Sequence, residues 1–587
     1  MRNTTALHAA LCTALGFATA AAPAAARSPV IIAGADEDMR AGILELLPDR
    51  DRPATVFEAE RIGEEAAARA NAWLRSEGYY DATVTPTTSD NPVAARLEIA
   101  PGVRYRFAWP TLVFDDAAPD PEAAAAANQA LGLVSAGAPA RAPSALGAEA
   151  AALKALQQRG YADASIGARR VIVDHATQLV SAEFHLSAGA KASLGRVRAR
   201  PETLFRAHFI ASLRNWRAGD PYKPEDLTRL RRDLSETGAV ARISTALAPP
   251  DPSGQRDVIL DVEPAKRYAY ELGFGYSTTE GLGVDAQWTR RNLTGRADSL
   301  SVQTTLGAML KSLGVTWSLP HAAGLGHTLS LGASLAQEDT DAYRRNGVAV
   351  FASVDAGARL RWGRSFGLRL TYDSYDRIAG GVSYAEVLSG YGDLRFDTTE
   401  FSLDPRSGAI LEARIEPTLS TGDATIAFMR ATAEGRFYQS IGGAERLTFA
   451  ERVRLGWLEP IAGSADDVPA DHRFYAGGGG SVRGYAYNTI YPHERDALAL
   501  VPGGQGLVEG SLEARLRLNG PFGLAAFLDG GNAFDRWGDA GNLKFGAGLG
   551  LRYDLGFAPL RVDLAVPLDR HETSNTYALY ISVGQAF

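Results

Sequence analysis

From Tyr268 to the end of the chain, apolar side chains recur at every second position. Leu272, Phe274 and Tyr276 alternate with Gly273, Gly275 and Ser277, and Leu282, Val284, Ala286 and Trp288 alternate with Gly283, Asp285 and Gln287. Leu313–Leu319, Leu329–Leu335, Phe545–Tyr553 and Leu560–Leu568 repeat the pattern. Period two marks strands with one apolar face. The opposite face of the last two runs carries Gly546, Gly548, Gly550, Arg552 and Asp554, then Arg561, Asp563 and Ala565. A soluble sandwich does not normally keep Gly, Arg and Asp on one face through hundreds of residues. An apolar band turned to lipid around a polar interior accounts for both faces. The 587 − 267 = 320 residues, at roughly 20 per strand with its turn, predict about 16 antiparallel strands in a transmembrane β-barrel.

Before Tyr268 the pattern is mixed and repeats. An Ala-rich helix from Glu64 ends at Gly78 and is followed by the strand-like runs Ala82–Thr87 and Ala94–Ile99. The theme returns with a helix ending at Gly160 and the run Leu179–Leu186, and again with a helix ending at Gly238 and the run Asp257–Val262. The spacings are 160 − 78 = 82 and 238 − 160 = 78. Glycine suits each helix end because it tolerates positive φ. Three units of near-constant period predict a tandem array of small α+β modules, each of β-α-α-β-β order. The fold class is thus α+β modules followed by an all-β transmembrane barrel. The predicted boundaries are 27–102, 103–189, 190–266 and 267–587.

Composition narrows the chemistry. Lys+Arg is 60 and Asp+Glu is 68, a formal charge of −8. An acidic balance argues against nucleic acid as the main partner, because phosphate binding wants a basic face. Residues 1–26 read as a secretory leader: Arg2, an apolar run, then Ala24-Ala25-Ala26 before Arg27. The single cysteine, Cys12, lies within it, which removes disulfides and thiolate chemistry from the mature chain. His472, His493 and His571 lack the short spacing of a metal cluster. The Gly477–Gly480 run lacks a following Lys-Ser or Lys-Thr at phosphate-loop spacing, and there is no G-x-S-x-G elbow. Neither a metal, a cofactor nor an enzyme activity is expected.

Several motifs in the second half resemble a known family. Tyr475–Tyr485 (YAGGGGSVRGY) contains Val482-Arg483-Gly484-Tyr485, which is similar to the VRG[FY] signature of the POTRA-barrel outer-membrane proteins, the BamA/TamA superfamily. Phe527-Leu528-Asp529-Gly530-Gly531 is similar to its F-x-D-x-G strand, Gly548–Leu568 to its penultimate strand pair, and Arg291–Arg296 to an early periplasmic turn. The three modules then resemble POTRA domains, and a count of three points to the TamA branch rather than to five-module or two-module relatives. Asp554–Pro559 departs from the family's usual turn there.

The resemblance implies a bacterial outer-membrane protein with its modules in the periplasm. Its implied role is an assembly or translocation factor that helps insert or secrete β-barrel and autotransporter clients, with a TamB-like periplasm-spanning partner. It also implies that Arg483 folds into the lumen. By strand parity Glu513, Phe527 and Asp529 point there, and a planar guanidinium binds carboxylates bidentately. In the last strand, parity turns Tyr577, Leu579, Ile581, Val583 and Phe587 toward lipid, and Gly584 resembles a position where such strands kink. Gly273 and Gly275 weaken the first strand, so its seam with the last strand, near Leu272–Tyr276, is expected to hold few backbone bonds and to admit a client strand. Two alternatives are a dedicated two-partner-type secretion pore for one substrate and a membrane hydrolase. The first would be favoured by a client encoded beside the gene. The second would need a nucleophile–base pair that the sequence does not offer.

Overall fold

The computed structural model describes residues 30–356, 361–376, 381–400, 403–442, 446–492, 501–569, 576–585 and 587. The leader at 1–26, His493 and His571 lie outside the described residues. Two compact units form. One takes the chain to Leu194 with Gly219–Pro224 and Pro250–Gln255; the other takes Gly195–Ala218, Glu225–Pro249 and Arg256–Phe587.

Three α/β segments with the character of POTRA modules precede the barrel. The first runs β1 (Val30–Ala33), α1 (Glu37–Glu45), α2 (Val56–Ser76), β2 (Thr83–Asp90) and β3 (Val93–Ala100), with sheet order β1-β3-β2. Asp36 caps α1 by accepting from Met39 N at 2.8 Å, and Thr55 caps α2 by accepting from Glu58 N at 3.2 Å. Leu74, Ile43, Leu97 and Ala70 are the centre of its core.

The second runs β4 (Arg106–Phe107), β5 (Thr111–Phe114), α3 (Pro121–Ala130), α4 (Ala142–Gln157), β6 (Ser165–Ile166), β7 (Arg170–Asp174) and β8 (Leu179–Ser187). Its sheet is built on β8, with β4 and β5 parallel on one side and β6 and β7 antiparallel on the other. Asp120 caps α3 through Ala123 N at 2.9 Å. That bond, with the Lys191 ammonium at 3.0 Å, holds the Asp120 carboxyl down at about 2. The third runs β9 (Ser193–Arg200), α5 (Ala207–Ser212), α6 (Pro224–Glu236), β10 (Val240–Leu247) and β11 (Gln255–Pro264), in sheet order β10-β11-β9. Gly78, Gly160 and Gly238 follow α2, α4 and α6 at φ of +94°, +100° and +70°, the left-handed geometry that stops a helix.

Sixteen antiparallel strands, β12 (Tyr268–Ser277) through β27 (Ala578–Val583), close into a barrel. The apolar parity faces outward: Leu272 is 81% exposed and Leu549 70%. Among the described residues no helix is long and apolar enough to cross a membrane. On one rim the Asn292–Asp298 turn is braced by the fully buried Asp298, which accepts from Thr294 N and Trp317 Nε1, both at 2.8 Å. The same turn grips the third segment: Asn292 Nδ2 donates to Leu204 O at 2.7 Å, and Arg206 N to Gly295 O at 2.8 Å.

Candidate functional site: the lumen arginine and the seam

Between β22 (Leu447–Ala462) and β23 (Gly506–Arg517), the stretch around Val482–Tyr485 lies inside the barrel. Val482, fully buried, packs with Phe428 and Phe474. Arg483 is 2% exposed and meets the walls of β23, β24 (Phe522–Phe534) and β26 (Pro559–Pro567). Its Nε and Nη2 donate to the two oxygens of Asp529 at 2.7 and 2.9 Å, the paired fork that carboxylates match. Its backbone N adds a third bond to Asp529 at 3.1 Å, while Nη1 reaches Glu513 at 2.9 Å and Asp563 at 3.2 Å. The guanidinium carbon lies 3.4 Å from the centre of the Phe527 ring, a cation–π contact.

Two of the three carboxylates, Glu513 and Asp563, are shared with other arginines. Arg515 and Arg552 donate to Glu513 at 2.9 and 3.1 Å, and Arg552 to Asp563 at 2.5 Å. Glu513, Asp529 and Asp563 are all buried, and burying three carboxylates is sustainable only with this many guanidinium partners. Glycine makes the close approach possible. On β25 (Lys544–Asp554) a Cβ at Gly546 would collide with Arg483 O, and one at Gly548 with the Phe527 ring. Gly484 N donates to Tyr580 Oη at 3.1 Å, and Tyr485 Oη lies 2.9 Å from Asp569 O. The segment is thus tied to the closing strands as well.

Val482, Arg483, Gly484, Tyr485, Glu513, Phe527 and Asp529 therefore lie together in the lumen. Asp563, Arg552 and Tyr580 belong to the same cluster and were not singled out as partners from the sequence. The polar parity of Arg561, Asp563 and Ala565 was the available signal. What it lacked was the cross-strand register.

The seam is short. β12 pairs with β13 (Gly281–Arg291) along its whole length, from Tyr268↔Arg290 to Ser277↔Gly281. With β27 it pairs only at Gly275↔Ser582, Tyr276↔Ile581 and Ser277↔Tyr580. Gly273 lies in the stretch Tyr268–Phe274, which has no strand partner on the β27 side among the described residues. A Cβ at Gly273 would meet Asp285, its partner on β13, at 3.6 Å.

One placement is corrected: Phe587 does not face lipid. Gly584, at φ +93°, turns the chain inward after Val583. Gln585 then binds the opposite wall through Leu403 O and Asp404, at 3.2 and 2.9 Å. The Phe587 ring packs on Ile410, Tyr438 and Ala450, with Arg452 and Arg515 5.6 and 5.5 Å from its centre. Period-two counting fails here because it assumes an unbroken strand, and the left-handed glycine ends that strand. Tyr577 keeps its predicted outward face, and Leu579, Ile581 and Val583 remain on the partly exposed parity, whereas Ala578 and Tyr580 are buried.

Known proteins share this fold. The crystal structure of BamA from Haemophilus ducreyi lacking POTRA domains 1–3 superposes with a TM-score of 0.66 at 17% identity, covering 82% of this chain and all of that one. The outer membrane protein assembly factor BamA of Nitratidesulfovibrio vulgaris is 26% identical over 390 residues, 63% of this chain and 48% of the relative. The chain thus spans about half the length of that relative. Residues 292–587, half of the chain and nearly all of the barrel, match the Omp85 superfamily domain. The chain belongs to the Omp85 superfamily.

Proposed function

We propose that the chain is a TamA-like assembly and translocation factor of the bacterial outer membrane. In this reading β-barrel or autotransporter clients enter through the seam between β12 and β27. The single observation that carries it is the incomplete ladder. From Tyr268 to Phe274, one edge of β12 has no strand partner among the described residues, and such an edge is a template for an incoming strand. The lumen is a poorer route, because the Arg483 segment is fixed across it by charge-assisted bonds to three strands. The segments at 27–102, 103–189 and 190–266 act as POTRA modules in the periplasm and hand clients, or a TamB-like partner, to the 267–587 barrel. No covalent chemistry is needed.

The test is reconstitution. The full chain in lipid vesicles should accelerate folding of a urea-unfolded autotransporter barrel, read by its heat-modifiable gel mobility. A folding rate equal to that in empty vesicles would sink this reading.

A further inference from the structure

The rim that carries the Asn292–Asp298 turn also carries, at the β23–β24 turn, a cavity of about 390 Å³. Arg406, Arg446, Arg515, Arg517 and Arg552 line it, against the carboxylates of Asp404 and Asp554. Arg517 pairs with Asp554 at 3.2 Å and Arg406 with Asp404 at 3.3 Å. Among the described residues the Arg446 side chain donates only to the neutral Asn519 side chain, at 3.1 Å. Arg552 and Arg515 share Glu513, and Arg515 also donates to Phe587 O at 3.1 Å. The Arg515 Nη1 has no hydrogen-bond partner among the described residues, although the residue is only 5% exposed.

Two features here are costly without an anion. A buried N–H left unpaired forfeits its hydration. Arg446 and Arg517 stand side by side, Arg517 N bonding Arg446 O at 2.7 Å, and like charges directly opposite on a sheet repel. An acceptor with several oxygens would relieve both. A tetrahedral oxyanion can accept from three guanidinium groups that line one cavity, whereas a planar carboxylate matches one fork. We propose that this cavity binds a phosphate group, free or as the headgroup of an anionic phospholipid, through Arg446, Arg515 and Arg517.

Two arms test it on the full chain in phosphate-free detergent micelles. In the first, inorganic phosphate is titrated by calorimetry. In the second, native mass spectrometry counts phosphatidylglycerol retained against phosphatidylcholine. Binding of phosphate alone identifies a free-anion site, and selective retention of phosphatidylglycerol a lipid site. Either supports the proposal if Arg446→Gln and Arg517→Gln each weaken it about tenfold, the loss of one charge-assisted bond. Asp554→Asn, which frees Arg517, should tighten binding, so a result does not depend on a weakened fold. Absence of both kinds of binding, or binding indifferent to all three substitutions, overturns it.

Discussion

Gly275→Cys with Ser582→Cys should lock the seam. The two positions are direct partners in the β12–β27 ladder. A Cβ built on Gly275 lies 3.9 Å from that of Ser582, inside the window of about 3.5–4.5 Å that disulfides occupy. The chain's one native cysteine, Cys12, lies in the predicted leader, so mispairing is avoided. The closed loop spans 582 − 275 = 307 residues, for which the chain-entropy model gives roughly 5–6 kcal/mol as a ceiling. The cross-linked barrel should therefore be at least as stable as the parent and still show heat-modifiable mobility. With the ladder unable to open beyond Gly275, surface display of an autotransporter client should fall to background under oxidising conditions and return on reduction. Each single-cysteine variant should act like the parent. Full client assembly by quantitatively cross-linked protein would refute the seam route and favour passage through the lumen.

Arg483→Ala should leave Asp529 without the side-chain donors that now hold it, while Glu513 and Asp563 keep Arg515 and Arg552. One orphaned buried carboxylate costs ~3–5 kcal/mol, so hydrogen exchange across 476–490 should rise sharply with the barrel still formed. Arg483→Lys should restore only part of the protection, since a point charge cannot replace the fork, and unchanged exchange in the Ala variant would contradict the assignment. Gly584→Val places a β-branched residue at φ +93°, a strain of ~1–3 kcal/mol. The last strand should straighten, pair further along β12 and slow exchange at Tyr268–Phe274; no slowing would show that the tail does not hold the seam apart. Hydrogen bonds donated to Asp115 and then Glu183 raise the His185 imidazole above its usual range. That stabilisation is fully present below about pH 6.5 and is lost as pH rises through the folded value. Amides of β5 and β8 should lose protection over that rise, corrected for intrinsic exchange, and His185→Gln should flatten the dependence; an equal pH slope in the variant would rule this clamp out.

Much of the architecture is written in the sequence because it rests on local periodicity. Alternation from Leu272 onward specifies strands with one lipid face, and the roughly 80-residue repeat of helix, glycine and strand specifies the modules, whatever each element later packs against. Parity also put Glu513, Phe527 and Asp529 on the lumen side, which needs no knowledge of the neighbouring strand. Register is different. It is set between strands far apart in sequence, and a slip of one residue would turn each side chain to the other face. Hence Asp563 was legible as a polar position but not as a partner of Arg483, and within the expected seam near Leu272–Tyr276 the pairs fall only at its far end, from Gly275 to Ser277. Phe587 marks the same boundary. Counting by twos sends it to lipid, whereas one left-handed glycine carries it to Arg452, Arg515 and the far wall. A repeating pattern fixes which face a residue takes while the strand lasts; only the closed barrel decides where the strand stops and what waits inside.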